Sequence, residues 1–522
     1  MVELSGENQG QRGSENSSSL VWGKNGLRLE LAELPRLPPL PFRSACCRVC
    51  SDGGRLLALC TLPPCEGPSS GSPPELLAVL GEDARSRIGL LRMELPETRS
   101  YPALTADLPQ AQAFERELFE EHSIHPQGHP WLKPLREHAD LAPPSEGEET
   151  AVRPHPFFRV EGPGIHEVAV GPVHAGIIEP GHFRFQCHGE IVRHLEIQLG
   201  YQHRGAESLL LRSRPARRLV VAESIAGDTS VGHALAYCKA IEALGSTDVP
   251  LYAQAVRGIA LELERVANHV GDLGALCNDV GYLPGASWFG RLRGEFLNLL
   301  MELSGNRFGR SLLKPGGVRF GLCAEKRKDF LEQLARAERD LKDTAELIFD
   351  TPTICSRFEH TGVVTHEVAQ TLGLVGPAAR ASACDRDVRR DHPFGIYRFV
   401  HIPVALVDSG DVMARALVRW LETQRSITFV REQLTELPEE ALSAESAPLR
   451  PEAVVVSMVE GWRGEIVHVA TTGRDGELAG YKIVDPSFHN WFGLAMALRG
   501  DQISDFPLCN KSFNLSYAGH DL

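Results

Sequence analysis

No run of about 18 consecutive apolar residues occurs in the 522-residue sequence, so no membrane-spanning helix is expected. The first twenty residues, MVELSGENQGQRGSENSSSL, have no apolar centre, which leaves no secretory signal to read. Basic residues are in deficit. Lys and Arg number 54 against 68 Asp and Glu, a net charge of −14, which argues against nucleic acid as a partner. There is no GxGxxG string and no phosphate-binding loop. GPGIH at 162–166 is a turn with no helix after it to hold a phosphate. The 20 histidines include no HExxH or comparable zinc-ligand spacing.

The cysteines are thinly spread. Twelve are scattered mostly as single residues in apolar or mixed surroundings, the pattern of small buried hydrophobes in a reducing compartment. Cys46, Cys47 and Cys50 include one CxxC, followed by Cys60 and Cys65 at a spacing loose for zinc. Apolar residues make up 43% and charged residues 23%, as expected of a globular chain long enough for two or three domains.

Residues 1–42 are expected to be a disordered, then extended lead-in, because 1–20 are polar and 34–42 (LPRLPPLPF) are proline-rich. A first domain is expected over 43–140, with strands at 55–61 and 88–95 separated by GPSSGSPP and a helix over 111–122. The acidic, proline-bearing segment 141–155 is the expected linker. A second domain, 156–522, opens with strands within 157–200 and then turns helical. Over 251–279, Val256, Ile259, Leu263, Val266, Val270 and Leu273 recur at spacings of three and four, giving one apolar stripe on a long helix. Further amphipathic helices are expected at 325–350 and 411–434, a solvated loop at 436–451 and strands at 453–459 and 466–471. The class is α+β.

Several strings add a resemblance. GPVHAGIIEPGHFRF from Gly171, LGYQHRGAESLL from Leu199, GHALAY at 232–237 and ELERVANH at 262–269 occur in that order. KPGGVR at 314–319, VGPAARAS at 375–382, DHPFGIY at 391–397 and PSFHNW at 486–491 complete the series. Together they resemble the large subunit of group 4, formate-hydrogenlyase-type [NiFe] hydrogenases, which is kin to the quinone-site 49 kDa subunit of respiratory complex I. The stretch 101–130, with ERE at Glu115–Glu117 and GHP at Gly128–Pro130, resembles a degenerate complex I 30 kDa subunit. The resemblance implies a small N-terminal α/β domain, then a mainly helical large-subunit domain with small peripheral sheets.

The family's hydrogenases hold nickel and iron with two CxxC pairs. The matching positions here are Ala226, Thr229, Ser516 and Gly519, and none is a thiolate. The resemblance therefore points to a hydrogenase-related member without the metal centre. Glu207 matches a glutamate serving proton transfer. Asp279, ten residues after His269, matches an aspartate linked to the quinone site. At a helix C-terminus such a carboxylate faces the negative end of the dipole, which disfavours its ionisation. The alternative reading of Asp279 is a surface residue ending its helix. Glu262, Arg265 and His269 share one side of a helix, as a hydrogen-bonded cluster or as a relay toward Asp279. Arg319, Arg380, Asp385, Arg415 and Arg419 are expected to serve mainly as ion-pair scaffolding, the alternative being that some line a charged axis toward the membrane partner. The tyrosine that binds quinone in complex I is replaced by Gly227, leaving His174, His182 and Tyr237 as candidates for a quinone pocket. No cofactor is otherwise assigned to this chain. The implied partners are an iron–sulfur small subunit and antiporter-like membrane subunits. The implied place is the cytoplasmic face of the cell membrane, with NADH oxidised, if at all, on other subunits. The function expected is a subunit coupling electron transfer to ion translocation. The alternatives are a non-catalytic scaffold joining the two arms and, set aside by the missing ligands, an active hydrogenase.

Overall fold

The computed structural model describes residues 20–62, 74–136, 155–174, 178–439 and 441–522. The polar segment 1–19 and nearly all of the linker expected at 141–155 lie outside the described residues, as does Cys65.

The first sheet runs Val21–Gly23, Arg87–Glu94, Glu75–Glu82, Arg55–Leu62, all antiparallel, with Arg36–Leu37 added in parallel to Arg87–Glu94. Its three long strands are buried over six consecutive positions each, so the sheet is covered on both faces. Helix Pro39–Ser51 packs against it. This corrects the expectation of a lead-in to residue 42. Pro38 is extended, but Pro39 opens a helix, because a proline in the first turn gives up an N–H that had no partner there. Cys46, Cys47 and Cys50 sit on this helix as free thiols, and burial pushes Cys50 up to about 12.

The N-terminal segment also joins the second sheet. Strand Arg28–Glu30 pairs with Ala453–Gly461, which continues through Gly464–Thr472 to Leu478–Val484. Asn25 fixes this strap: its Nδ2 donates to Met458 O (3.0 Å) and its Oδ1 accepts from Met458 N (2.8 Å). A third antiparallel sheet contains Ile165–Val170, His182–His188 and Ile191–Gln198.

The helical core is built around Leu251–Asp279, which packs on Leu283–Ser304 and Val412–Thr435, with Ala324–Phe349 outside them. The expected apolar stripe is present, but the helix is not amphipathic. Of its 29 residues 23 are buried, including Glu262, Glu264, Arg265 and His269. A helix enclosed on all sides can carry charges only if each finds a partner. No helix among the described residues is long and apolar enough to cross a membrane.

Buried ion pairs join the first sheet and helix Gln112–His122 to the second sheet. Arg55 binds Asp83 (2.8 Å) and Glu465 (2.6 Å), and His392 Nε2 lies 2.9 Å from Asp83. Glu117 accepts from Lys482 (2.6 Å) and Arg136 (2.8 Å). The other glutamate of the ERE string, Glu115, is enclosed by Tyr101 Oη, Thr105 Oγ1 and the Leu104 and Thr105 amides.

Candidate functional site

The C-terminal tail, which carries Ser516 and Gly519, is bridged to the segment that carries Ala226 and Thr229, the four positions that the resemblance matches to metal ligands. Asp521 Oδ2 accepts from Gln202 N (2.9 Å), and the Leu522 carbonyl accepts from the Arg204 and Ala206 amides. Two guanidinium groups then cross the seam between the tail and residues 224–229. Arg204 donates to the carbonyls of Ser224 and Ile225 (2.6 Å each) and to Ala518 O (3.4 Å). Arg463 forms a fork with Asp228 (2.5 and 2.8 Å), reaches Thr229 Oγ1 (3.2 Å) and donates to Asn514 O (2.5 Å). Its guanidinium lies 3.9 Å from the centroid of the Trp462 ring, and that indole also donates to Thr229 Oγ1 (3.1 Å).

These positions do not fit a nickel–iron centre. Ala226 and Gly519 carry no donor. The Thr229 hydroxyl is held by Asp228, Trp462 and Arg463, and Ser516 Oγ accepts from Gly519 N (2.9 Å). A Cβ on Gly519 would stand 2.5 Å from the Asp485 carboxyl carbon, so a cysteine there would have to displace a buried carboxylate. The seam is instead organised around a fixed cation paired with Asp228.

Glu207 lies at the edge of a second feature, a cavity of about 50 Å³ shared with Cys60, Glu117, Glu121, His122, Tyr481 and Lys482. Its Oε1 accepts from Ile483 N (2.8 Å) and lies 3.2 Å from Lys482 Nζ. Burial pushes this carboxyl up to about 7 against the pull of Lys482, and Glu117 and Glu121 add to the rise. Glu117, closer to the same ammonium, is held down at about 2, because Lys482 and Arg136 outweigh its burial. Two carboxylates with separated affinities thus share one lysine.

His269 is buried, and its Nε2 meets Glu422 (2.8 Å) rather than Glu262. Glu422 also takes Arg380 (2.8 Å), which bonds Glu460 (2.8 Å). Glu262 takes Arg265 (2.9 Å), Arg389 (3.1 Å), Tyr397 Oη (2.7 Å) and Ser426 Oγ (2.5 Å). Glu262 and Arg265 thus pair with each other in a buried ionic core, whereas His269 joins Glu422. Arg419 pairs with Asp272 (2.7 Å), whose other oxygen accepts from Asn514 (2.6 Å), tying the tail to the long helix. Asp385 pairs with Arg390 at the surface. Two arginines differ from expectation. Among the described residues no carboxylate bonds Arg415; it donates to Ser512 Oγ and the carbonyls of Gly410 and Gly362, and burial lowers it to about 10. Arg319 is exposed.

Asp279 is the last residue of the long helix and is exposed. Ten residues at 1.5 Å each put it about 15 Å along the axis from His269. Partial desolvation raises its carboxyl, and Lys511 opposes the rise. The proposed cluster of His174, His182 and Tyr237 is only partly assembled. His174 Nε2 lies 3.0 Å from Gly181 O, and His182 Nδ1 lies 3.0 Å from Gly171 O, so the two histidines brace opposite ends of one loop. Tyr237 instead faces Tyr481 (ring centroids 6.3 Å apart), eight residues along its helix from Thr229. Among the described residues no hydrogen bond or ring contact joins it to either histidine.

Sequence reasoning missed Arg463, Asp485 and His468. A signal existed for the last. IVHVATT places one histidine in a wholly buried strand, where an unpartnered imidazole would be costly.

The family described as "Respiratory-chain NADH dehydrogenase, 49 Kd subunit" matches residues 279–452. The chain is 32% identical over 350 residues to "Carbon monoxide-induced hydrogenase" of Rhodospirillum rubrum, covering 67% of this chain and 97% of that protein. It is 29% identical over 443 residues to "Hydrogenase-4 component G" of Escherichia coli K12, covering 81% and 76%. It is also 29% identical over 392 residues to "NADH-quinone oxidoreductase subunit 4" of Thermus thermophilus, covering 70% and 93%. The chain belongs to the family that unites group 4 membrane-bound hydrogenase large subunits with the complex I 49 kDa subunit.

Proposed function

We propose that this chain is the large subunit of a membrane-associated, complex I-like redox complex that works without a nickel–iron centre. It receives electrons from an iron–sulfur partner subunit and couples their passage, with a quinone as the candidate acceptor, to ion translocation through antiporter-like membrane subunits. The chain is peripheral, held at the cytoplasmic face by those partners. The N-terminal sheet and helix play the part of the complex I 30 kDa subunit.

The observation that carries this reading is Arg463. A guanidinium paired with Asp228 and bonded to the tail keeps the two halves of the former centre joined without metal. Glu207, raised toward neutrality by burial, supplies a group able to take up and release protons near physiological pH.

Purification of the tagged chain from membranes in mild detergent, with mass spectrometry and metal analysis, tests the reading. An iron–sulfur subunit and multi-spanning partners with no stoichiometric nickel are expected. One nickel per chain would overturn the metal-free reading. Recovery of the chain alone, under conditions that keep other respiratory complexes whole, would overturn the assignment to a complex.

A further inference from the structure

A cavity of about 510 Å³ lies apart from both the seam and the Glu207 cavity and shares no lining residue with either. Sites for small organic ligands span roughly 300–1,000 Å³. Three distant parts of the chain enclose it: residues 25–28, the end of helix Ser230–Gly245 with the first turns of Leu251–Asp279, and residues 393–398. Asn25 holds the first to the third, its Nδ2 donating to His392 O (2.8 Å) as well as to Met458 O. Leu235, Phe394 and Ile396, all buried, give the cavity an apolar wall.

The lining is opposite in charge to the chain. Four cations, Arg28, Lys239, Arg257 and Arg398, stand against two carboxylates, Glu242 and Asp248, in a chain whose net charge is −14. Arg257 and Glu242 bond each other (2.5 and 3.1 Å), and Glu242 also accepts from Gly316 N (2.8 Å). Arg28 donates to Ser246 Oγ (2.5 Å), and Asp248 is exposed. Lys239 and Arg398 differ from these, because among the described residues no carboxylate bonds either. Half-buried Lys239 donates to Met458 O (3.1 Å), an oxygen that already takes Asn25 Nδ2 (3.0 Å), and its Nζ stands 4.5 Å from the centroid of the Phe394 ring. An ammonium has three hydrogens to donate, so two remain for a ligand. Exposed Arg398 donates to Gly395 O (3.4 Å), a long bond that leaves most of its fork unused. Gln254 Oε1, also in the lining, is buried without a donor, so a ligand hydroxyl would gain a further bond there.

We propose that this cavity binds a small organic anion, a flat apolar body bearing one carboxylate, with the carboxylate on Lys239 and Arg398 and the body against Phe394 and Leu235. The proposal does not depend on the redox reading above. Two free ammonium hydrogens and one guanidinium match the two oxygens of a carboxylate, whereas a phosphate would bring a third oxygen and a second negative charge beside Glu242. Binding is linked to protons. Desolvation lowers Lys239 to about 7, Arg398 and Arg257 add to the fall, and Glu242 opposes it. A bound carboxylate favours the ammonium and raises the lysine again. Above neutral pH, binding should therefore take up close to one proton, and affinity should fall by up to about tenfold per pH unit.

The test is titration of the purified full-length protein with hydroxynaphthoate, followed by fluorescence and by calorimetry in buffers of different ionisation heat. The neutral amide, hydroxynaphthamide, should bind more weakly and take up no proton. Lys239→Met keeps the apolar stem and removes the ammonium. It should weaken binding of the acid about ten- to hundredfold and abolish the proton uptake. Arg398→Gln, at an exposed position, should weaken binding about two- to fivefold and keep the uptake. Failure of the acid to bind, equal binding of acid and amide, or proton uptake that persists in Lys239→Met would overturn the site. Tighter binding of naphthyl phosphate than of the acid would overturn the carboxylate as its ligand. Should Lys239→Met fail to fold, the comparison of acid with amide and the pH slope still decide, since both use the unaltered protein.

Discussion

Arg463 illustrates what one residue can hold. Its side chain is buried, forks onto Asp228 and bonds the tail carbonyl of Asn514. Arginine suits this place better than lysine because its planar fork serves both Asp228 oxygens at once. Arg463→Met should cost about 1–3 kcal/mol, since the half-buried Asp228 loses its counter-ion and the Asn514 carbonyl its donor. Thermal unfolding of the purified protein measures it, and adding Asp228→Asn should recover part of the loss. Little of this is legible in the sequence. That Ala226, Thr229, Ser516 and Gly519 carry no thiol can be read there, because residue identity needs no structure. What stands in for the thiols cannot. Arg463 is more than two hundred residues from Asp228 in the chain, and no local pattern pairs them.

At the scale of elements, legibility follows the locality of the cause. The bounds of Leu251–Asp279 are readable because periodicity and the glycine after it are local signals. The strands at 21–23 and 28–30 are not, because their strand character comes from edges offered by Arg87–Glu94 and Ala453–Gly461. The partners of the long helix are unreadable for a related reason: Glu262, Arg265 and His269 read as a cluster of their own, but Arg389 and Glu422 come from distant segments. Helix Ser230–Gly245 shows the same dependence. Its N-cap residue Thr229 makes no capping bond, its hydroxyl being engaged in the seam. The Val231 and Gly232 amides are instead taken by the Glu264 carboxylate of the long helix (2.7 and 3.1 Å). Burial pushes that carboxyl up to about 8, and the two amides oppose the rise. Glu264→Ala leaves both donors buried and unpaired, and should cost about 1–3 kcal/mol. Glu264→Gln, which keeps an acceptor, should cost less. The denaturant midpoints of the two variants provide the comparison.

For the whole molecule, Lys482 of the second sheet ties down Glu117 of the N-terminal unit and lies beside Glu207 of helix Ala206–Arg212, and the two glutamates titrate in opposite senses. Glu117 is held at about 2, below the ordinary 4.5, so its contribution is complete above pH 4.5 and is lost as pH falls toward 2. Glu207 is raised from the same 4.5 to about 7, so its contribution is complete below pH 4.5 and is lost as pH rises through 7. Together the two groups give a docking strength that peaks near pH 4.5–5 and falls on both sides. Each limb is on the order of 3 kcal/mol at most. The opposing slopes make the two glutamates separable. Glu117→Gln should flatten the acid limb and leave the neutral one. Glu207→Gln should flatten the decline between pH 4.5 and 7 and leave the acid limb. Hydrogen exchange in strand Arg55–Leu62 and helix Gln112–His122, followed across that range, reports the docking directly. A neutral limb that persists in Glu207→Gln would show that Glu207 does not hold its proton there, and would remove the main support for its role in proton uptake.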